Sequence, residues 1–228
     1  MKTQAIVVDF DGDSVVAGAS KNSAFWTRHS PVPIATTIPR QYGHLATSAL
    51  ALTAQRLLHL GAIPVLLGGG HSLTYWMLLE AIRFYGELNI LHFDAHHDAY
   101  RDPNITHYSF MHRLGASHEF GYRTVGTRYE LEAAHISEHP PIPGAPWYVT
   151  LDVDYFDTSL VASVIAPVDV EEGRADIDTF TGALDLLDAP IIGFDIVEWI
   201  SNRATSAESD LVLAALSGLK QRAESSCV

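Results

Sequence analysis

The chain has 228 residues, a formal net charge of −13, 47% hydrophobic residues and 18% charged residues. Length and apolar content suit one sizeable α/β domain over residues 1–228, and the low charged fraction argues against extended disorder. The acidic balance excludes the basic footprint of a nucleic-acid-binding surface. Its simplest reading is ordinary solubility, and its sharper one is attraction of a cationic substrate. The only cysteine is Cys227, so no disulfide forms within one chain and a reducing cytoplasm is the expected compartment. No basic segment leads into an apolar one, and no apolar run approaches the roughly 18 residues of a membrane span, so neither export nor insertion is expected.

In chain order, Ala5–Phe10 reads as the first strand. Residues 11–42, rich in Ser, Pro and Thr, show no clear period and read as an unassigned excursion. Gly43–Leu60 carries apolar residues at helical spacing and ends at Gly61, a C-cap signal. Pro64–Leu67 is a short apolar strand running into Gly68–Gly69–Gly70. Ser72 is placed to cap a helix through about Tyr85, closed by Gly86. Asn89–Asp94, Tyr122–Gly126, Trp147–Asp154 and Ile191–Val197 are further strands, and His139–Pro146 is a Pro-rich surface connection. Thr205-x-x-Glu208 fits a capping box opening a last helix, Leu211–Arg222. Near-continuous apolar strands alternating with helices imply a three-layer α/β/α sandwich around a mostly parallel sheet.

Polar residues gather at the ends of those strands. Asp94, His96 and Asp98 fall at alternate positions, and so do Asp152 and Asp154; on extended chain each set shares one face. With His71, just after the glycines, they make four carboxylates and two imidazoles, a set suited to two divalent cations with mixed oxygen and nitrogen donors. Cysteine is absent from it, which argues against structural zinc. Glu198 closes another strand, and ligands of open α/β sheets bind beyond the carboxyl ends of the strands. His92 shares the face of Asp94 one pleat deeper and reads as a hydrogen-bonded core residue; His97 points to the opposite face. His112 and His118 read as solvent-facing, and Trp76–Met77 as core.

The segments GGGHS (68–72), DAHHD (94–98), LDVDYFD (151–157) and FDIVE (194–198) resemble, in order, the signatures of the ureohydrolase superfamily of arginases and agmatinases. The resemblance spans about residues 64–200. It implies an arginase-like fold and two Mn²⁺ per chain, with His71 and Asp98 on one ion, His96 and Asp154 on the other, and Asp94 and Asp152 bridging. It also matches His107 to a histidine that follows the Asp-Ala-His segment. The departures are Gly70 where aspartate is usual, Tyr108 where glycine is usual, Asp157–Thr158–Ser159–Leu160 in place of an Asp-Pro and glycine-rich loop, and a shorter chain.

The implied chemistry is hydrolysis of a guanidino group to an amine and urea. The guanidinium carbon is a poor electrophile, and two cations sharing a water lower its pKa enough to supply a strong nucleophile. Glu198 is the expected acceptor of the planar guanidinium. Asp195, three residues earlier, is a second contact to substrate or a residue that orients the site. Asp98 and His107 are the expected proton carriers. The short connection from Asp98 to His107 suggests an open mouth, hence arginine within a peptide converted to ornithine. Free arginine or agmatine, and formimino or other C–N bonds, are the alternatives. A calcineurin-like phosphatase would need a Gly-Asn-His-Glu segment that this chain lacks. A non-catalytic metal-binding protein remains a further class, and the sequence leaves open whether the chain forms a homo-oligomer.

Overall fold

The computed structural model describes residues 1–9, 22–39, 45–128, 139–164 and 175–226. Cys227 and much of the 11–42 excursion lie outside the described residues. Seven strands form one sheet: β1 (Thr3–Val8), β2 (Ile34–Ile38), β3 (Ile63–Leu67), β4 (Asn89–Phe93), β5 (Gly121–Val125), β6 (Trp147–Asp152) and β7 (Ile191–Val197). Their order is β2-β1-β3-β7-β6-β4-β5, and every pair is parallel. The five inner strands are buried on both faces because helices cover both, whereas the edge strands β2 and β5 are partly exposed. Ala5, Val65, Phe93, Val149 and Ile196 point into one apolar cluster with Phe180 and Leu216. Ile6, Leu66, Ile90 and Val197 point into the other with Leu50, Met77 and Phe110. The first face is covered by α1 (Ser23–His29), α5 (Ile177–Asp185) and α6 (Ser206–Ser225), the second by α2 (Leu45–His59), α3 (Thr74–Tyr85) and α4 (Phe110–Gly115). No helix among the described residues is long and apolar enough to cross a membrane.

Part of the sequence reading needs correction. The 11–42 excursion contains α1 and β2, an edge strand of β-branched residues between two prolines. Ser72 does not cap α3; a 3₁₀ turn, His71–Leu73, precedes that helix with no side-chain cap. The Thr205–Glu208 capping box is formed, but the helix it opens starts at Ser206 and runs to Ser225. A second capping box, Asp176 with Thr179, opens α5, which the sequence reading left unassigned.

Candidate metal centre and active site

Four adjacent strands, β3, β7, β6 and β4, deliver the polar residues to one edge of the sheet. After β3 the chain turns through Gly68 and Gly69, with φ of 89° and 82°, a conformation that glycine adopts without a steric penalty. Gly70 is extended, at φ −84°, so nothing in the backbone demands a particular residue there. Gly68 N–H donates to the Ile196 carbonyl and Glu198 N–H to that of Gly69, both at 2.9 Å, tying this turn to the end of β7.

The donors converge by turns rather than by the pleat of a strand. β4 ends at Phe93 and β6 at Asp152, so the expected alternation over Asp94–Asp98 and Asp152–Asp154 is corrected. In each loop the first aspartate folds the chain on itself: Asp94 Oδ1 accepts from His96 N–H at 2.6 Å, and Asp152 Oδ1 from Asp154 N–H at 3.0 Å. Asp98 and Glu198 both hold left-handed backbone, at φ 48° and 63°. Non-glycine residues there are strained and cluster at functional sites.

His71 Nδ1 lies 2.9 Å from Asp98 Oδ2, 3.1 Å from Asp94 Oδ2 and 3.3 Å from Asp152 Oδ2. His96 Nδ1 lies 2.9 Å from Asp154 Oδ2 and 3.3 Å from Asp94 Oδ1. These contacts are close but misaligned: His71 Nδ1 and Asp154 Oδ2 are buried without a hydrogen-bond partner. Donor atoms about 3 Å apart are neighbours around a small cation with bonds near 2.1 Å. Two groups of donors, His71–Asp94–Asp98 and Asp94–His96–Asp154, therefore fit a pair of divalent ions sharing Asp94. His92 also lies within reach of the first group. Its nitrogens are already engaged, Nε2 with Asp94 Oδ2 and Nδ1 with Tyr122 Oη, each at 2.8 Å.

Electrostatics agree with a centre built for cations. Burial, then the charges of Asp154, Glu198 and Asp94, pushes Asp152 well above the carboxylate range. Burial and the Asp94 charge push Asp98 up to about 7, against the pull of His71. Burial also raises Asp154 and Glu198. His96 is pushed up to about 12: burial opposes the charged imidazole, but the close carboxylates of Asp154 and Asp94 outweigh it. His71 is likewise raised by Asp152, Asp94 and Asp98 against its burial. Without cations, protons on these groups are what balances the crowded carboxylates.

Beneath His71 runs a buried relay that the sequence did not reveal. Thr150 Oγ1 donates to Asp195 Oδ1 at 2.6 Å, and Tyr148 Oη donates to Asp195 Oδ2 at 2.8 Å. With its proton directed to Asp195, Thr150 Oγ1 accepts from His71 Nε2 at 2.8 Å. That keeps a proton on His71 Nε2 and turns Nδ1 toward the carboxylates, where its lone pair would meet a cation in place of a proton. Asp195 is fully buried with both oxygens engaged, surroundings that suit the orienting alternative of the sequence reading better than the substrate contact.

Glu198 is 3% exposed, and its Oε1 accepts from His71 N–H at 2.9 Å. His107 sits half-buried in the turn Thr106–Ser109, which returns against Asp98 through Met111 N–H on the Asp98 carbonyl. The His107 charge acts on Glu198, which places the two in one electrostatic neighbourhood. His97 is buried, and His112 and His118 are half-buried rather than solvent-facing.

This parallel α/β sheet carries, among the described residues, two groups of side chains that could hold cations beyond the ends of its central strands. A model of the arginase family matches residues 19–139, more than half of the chain, and the chain belongs to that family. It is 28% identical over 175 residues to an uncharacterized 32.2 kDa protein of Methanothermus fervidus, covering 65% of this chain and 60% of the relative. It is 28% identical over 170 residues to an agmatinase of Neisseria gonorrhoeae, covering 64% of this chain and 54% of the relative. The matches thus span roughly 54–60% of those curated relatives. The solved arginase of Medicago truncatula superposes with a TM-score of 0.81 at 18% identity, over 98% of this chain and 87% of its own. The fold is therefore arginase-like.

Proposed function

We propose that the chain hydrolyses a guanidino group to an amine and urea, with two Mn²⁺ held by His71 and Asp98, by His96 and Asp154, and shared by Asp94 and Asp152. The observation that carries this reading is the misaligned contact of His71 Nδ1 with three carboxylates, 2.9–3.3 Å away, beside the strained and buried Glu198. When bound, divalent ions supply Lewis acidity and bring the pKa of water toward neutrality. Glu198 accepts paired N–H bonds from the planar guanidinium and orients its carbon. Asp98, 2.9 Å from His71 Nδ1 in the same donor group, takes a proton from the attacking water and returns it to the departing amine. His107 assists that transfer from its place near Glu198. Asp195 and Tyr148 hold His71 in its metal-binding tautomer through Thr150.

For substrate scale we favour arginine within a peptide, converted to ornithine. The connection from Asp98 to His107 is short and folds tightly, with Tyr100 N–H donating to the Tyr108 carbonyl at 3.0 Å, which supports an open mouth. The likeness to an agmatinase supports a second reading, a small free guanidino substrate. Urea release from a blocked arginine peptide, free arginine and agmatine, measured with Mn²⁺-loaded protein, separates the two. Turnover of the blocked peptide above the free compounds is the expected result; inert peptides with rapid agmatine turnover would establish the small-molecule reading. No urea from any of them would remove the guanidino reading.

A further inference from the structure

We infer that Arg128 is a positioning residue for the ion centre: its guanidinium ties the loop after β6 to the loop after β4 and so sets the spacing of His96 and Asp154. This rests on the two-cation reading above. Strands β4 and β6 pair as far as Phe93 and Leu151. Beyond that point the ladder no longer fixes their separation, yet this is where the donors lie. The loop leaving β5, on the far side of β4, crosses at this point. Asp94 N–H donates to the Val125 carbonyl at 3.2 Å, and Arg128 N–H to the Ala95 carbonyl at 3.0 Å.

The crossing is close because Gly126 allows it. Its φ is 99°, and a Cβ there would overlap the Tyr155 ring and come within 3.1 Å of the Asp94 carbonyl. The Arg128 side chain then reaches the loop after β6. Nη1 donates to the Asp154 carbonyl at 2.9 Å and Nη2 to the Tyr155 carbonyl at 2.6 Å. Asp154 is held from the other side too, with Oδ1 accepting from Ala95 N–H at 3.1 Å. Its remaining oxygen, Oδ2, is the one that faces His96 Nδ1. A planar fork on two successive carbonyls fixes the orientation of that peptide segment, which a point charge on a flexible stem does not. Arg128 is thus joined by its backbone to one ligand loop and by its side chain to the other.

The test is titration of chelator-stripped protein with Mn²⁺, read as two binding constants, together with thermal melting of the stripped form. R128K and R128A are expected to weaken one of the two ions by about 10–100-fold, the usual effect of losing an outer-shell partner. The other ion and the melting of stripped R128K should be unchanged. In a His96→Ala background, R128K should add no further weakening, because the site it supports is already broken. Unchanged constants in both Arg128 variants, with two ions still bound by the unsubstituted protein, would overturn the inference. So would equal weakening of both ions with a lower melting point of the stripped form, which would make Arg128 a general strut. R128K, which keeps the charge, carries the test if R128A does not fold. Two bound ions without urea release would defeat the proposed reaction alone, whereas failure of the unsubstituted protein to bind any ion would overturn both.

Discussion

Carboxylates at the periphery and at the centre of this molecule live in opposite surroundings. Glu208 accepts from the backbone N–H groups of Ala162, Ser163 and Thr205, and Glu224 from Thr3 N–H and Oγ1 and from Lys220. The hydrogen bonds of both outweigh what burial they have and lower their pKa values. At the carboxyl end of the central strands, Asp98, Asp152, Asp154 and Glu198 are buried against one another, and all four are raised. Peripheral carboxylates stabilise the fold. Those four cost it stability unless cations or protons intervene, whereas Asp94 beside them is lowered by His71, His92 and His96 against its burial.

The sharpest break of that contrast is Asp94→Ala. Asp94 is the residue common to both donor groups, so its loss should remove most of both ions and take urea release to background. Elemental analysis of the purified variant measures this directly; retention of one ion with activity would mean that Asp94 does not bridge. Next in size is Glu198→Gln, which keeps an oxygen for His71 N–H but loses the charge. Metal content should persist while kcat/KM falls by roughly 10–150-fold, the equivalent of about 1.5–3 kcal/mol for a charged hydrogen bond. Near-normal turnover would move substrate binding to another residue.

A third test uses pH on chelator-stripped protein. Asp98 is raised to about 7, so between about pH 4 and 7 the folded state holds a proton that the unfolded state releases, and stability falls as pH rises. His71 and His96 are also raised; their stabilisation is complete below the ordinary histidine value and is lost as pH climbs above it. The signs agree. The stripped protein should melt lower at pH 8 than at pH 5.5, by an amount on the order of a few kcal/mol in stability. Mn²⁺ should reverse that order in a scanning fluorimetry experiment, and a flat profile without metal would show that the central carboxylates are not strained by their neighbours.

How much of this was legible in the sequence follows from how each residue is positioned. The strands that carry the site are continuous apolar runs, and their polar ends stand out against them. The pleat argument nonetheless gave the right neighbours for the wrong reason: Asp94, His96 and Asp98 meet because Asp94 captures His96 N–H and Asp98 turns left-handed, which alternation cannot reveal. β2 went unseen although Ile34–Ile38 is rich in β-branched residues, because its Pro-bounded surroundings lack any period. The Asp176-x-x-Thr179 box was readable by the logic applied to Thr205 and Glu208. Thr150, Tyr148 and Arg128 carried no local signal at all. Their roles depend on strands that are neighbours in the sheet but distant in the chain.

The smallest effect lies at the peripheral pole of the comparison. Glu224, near the end of α6, fastens the start of β1: its Oε1 accepts from Thr3 N–H at 3.1 Å and Thr3 Oγ1 at 2.7 Å. Those bonds hold its pKa at about 2. The side chain is 29% exposed, so solvent screening leaves only about 1 kcal/mol of the stabilisation such a shift implies. Because the folded value is depressed, this contribution is present above pH 4.5 and disappears as pH falls from there to about 2. Glu224→Gln should therefore lower stability by about 1 kcal/mol at pH 7 and by almost nothing near pH 2. Metal content and urea release should be untouched, since Glu224 sits on the helix that meets the opposite end of β1. Urea denaturation at the two pH values measures the difference. An equal loss at both would mean that the neutral hydrogen bonds, not the carboxylate charge, fasten the strand.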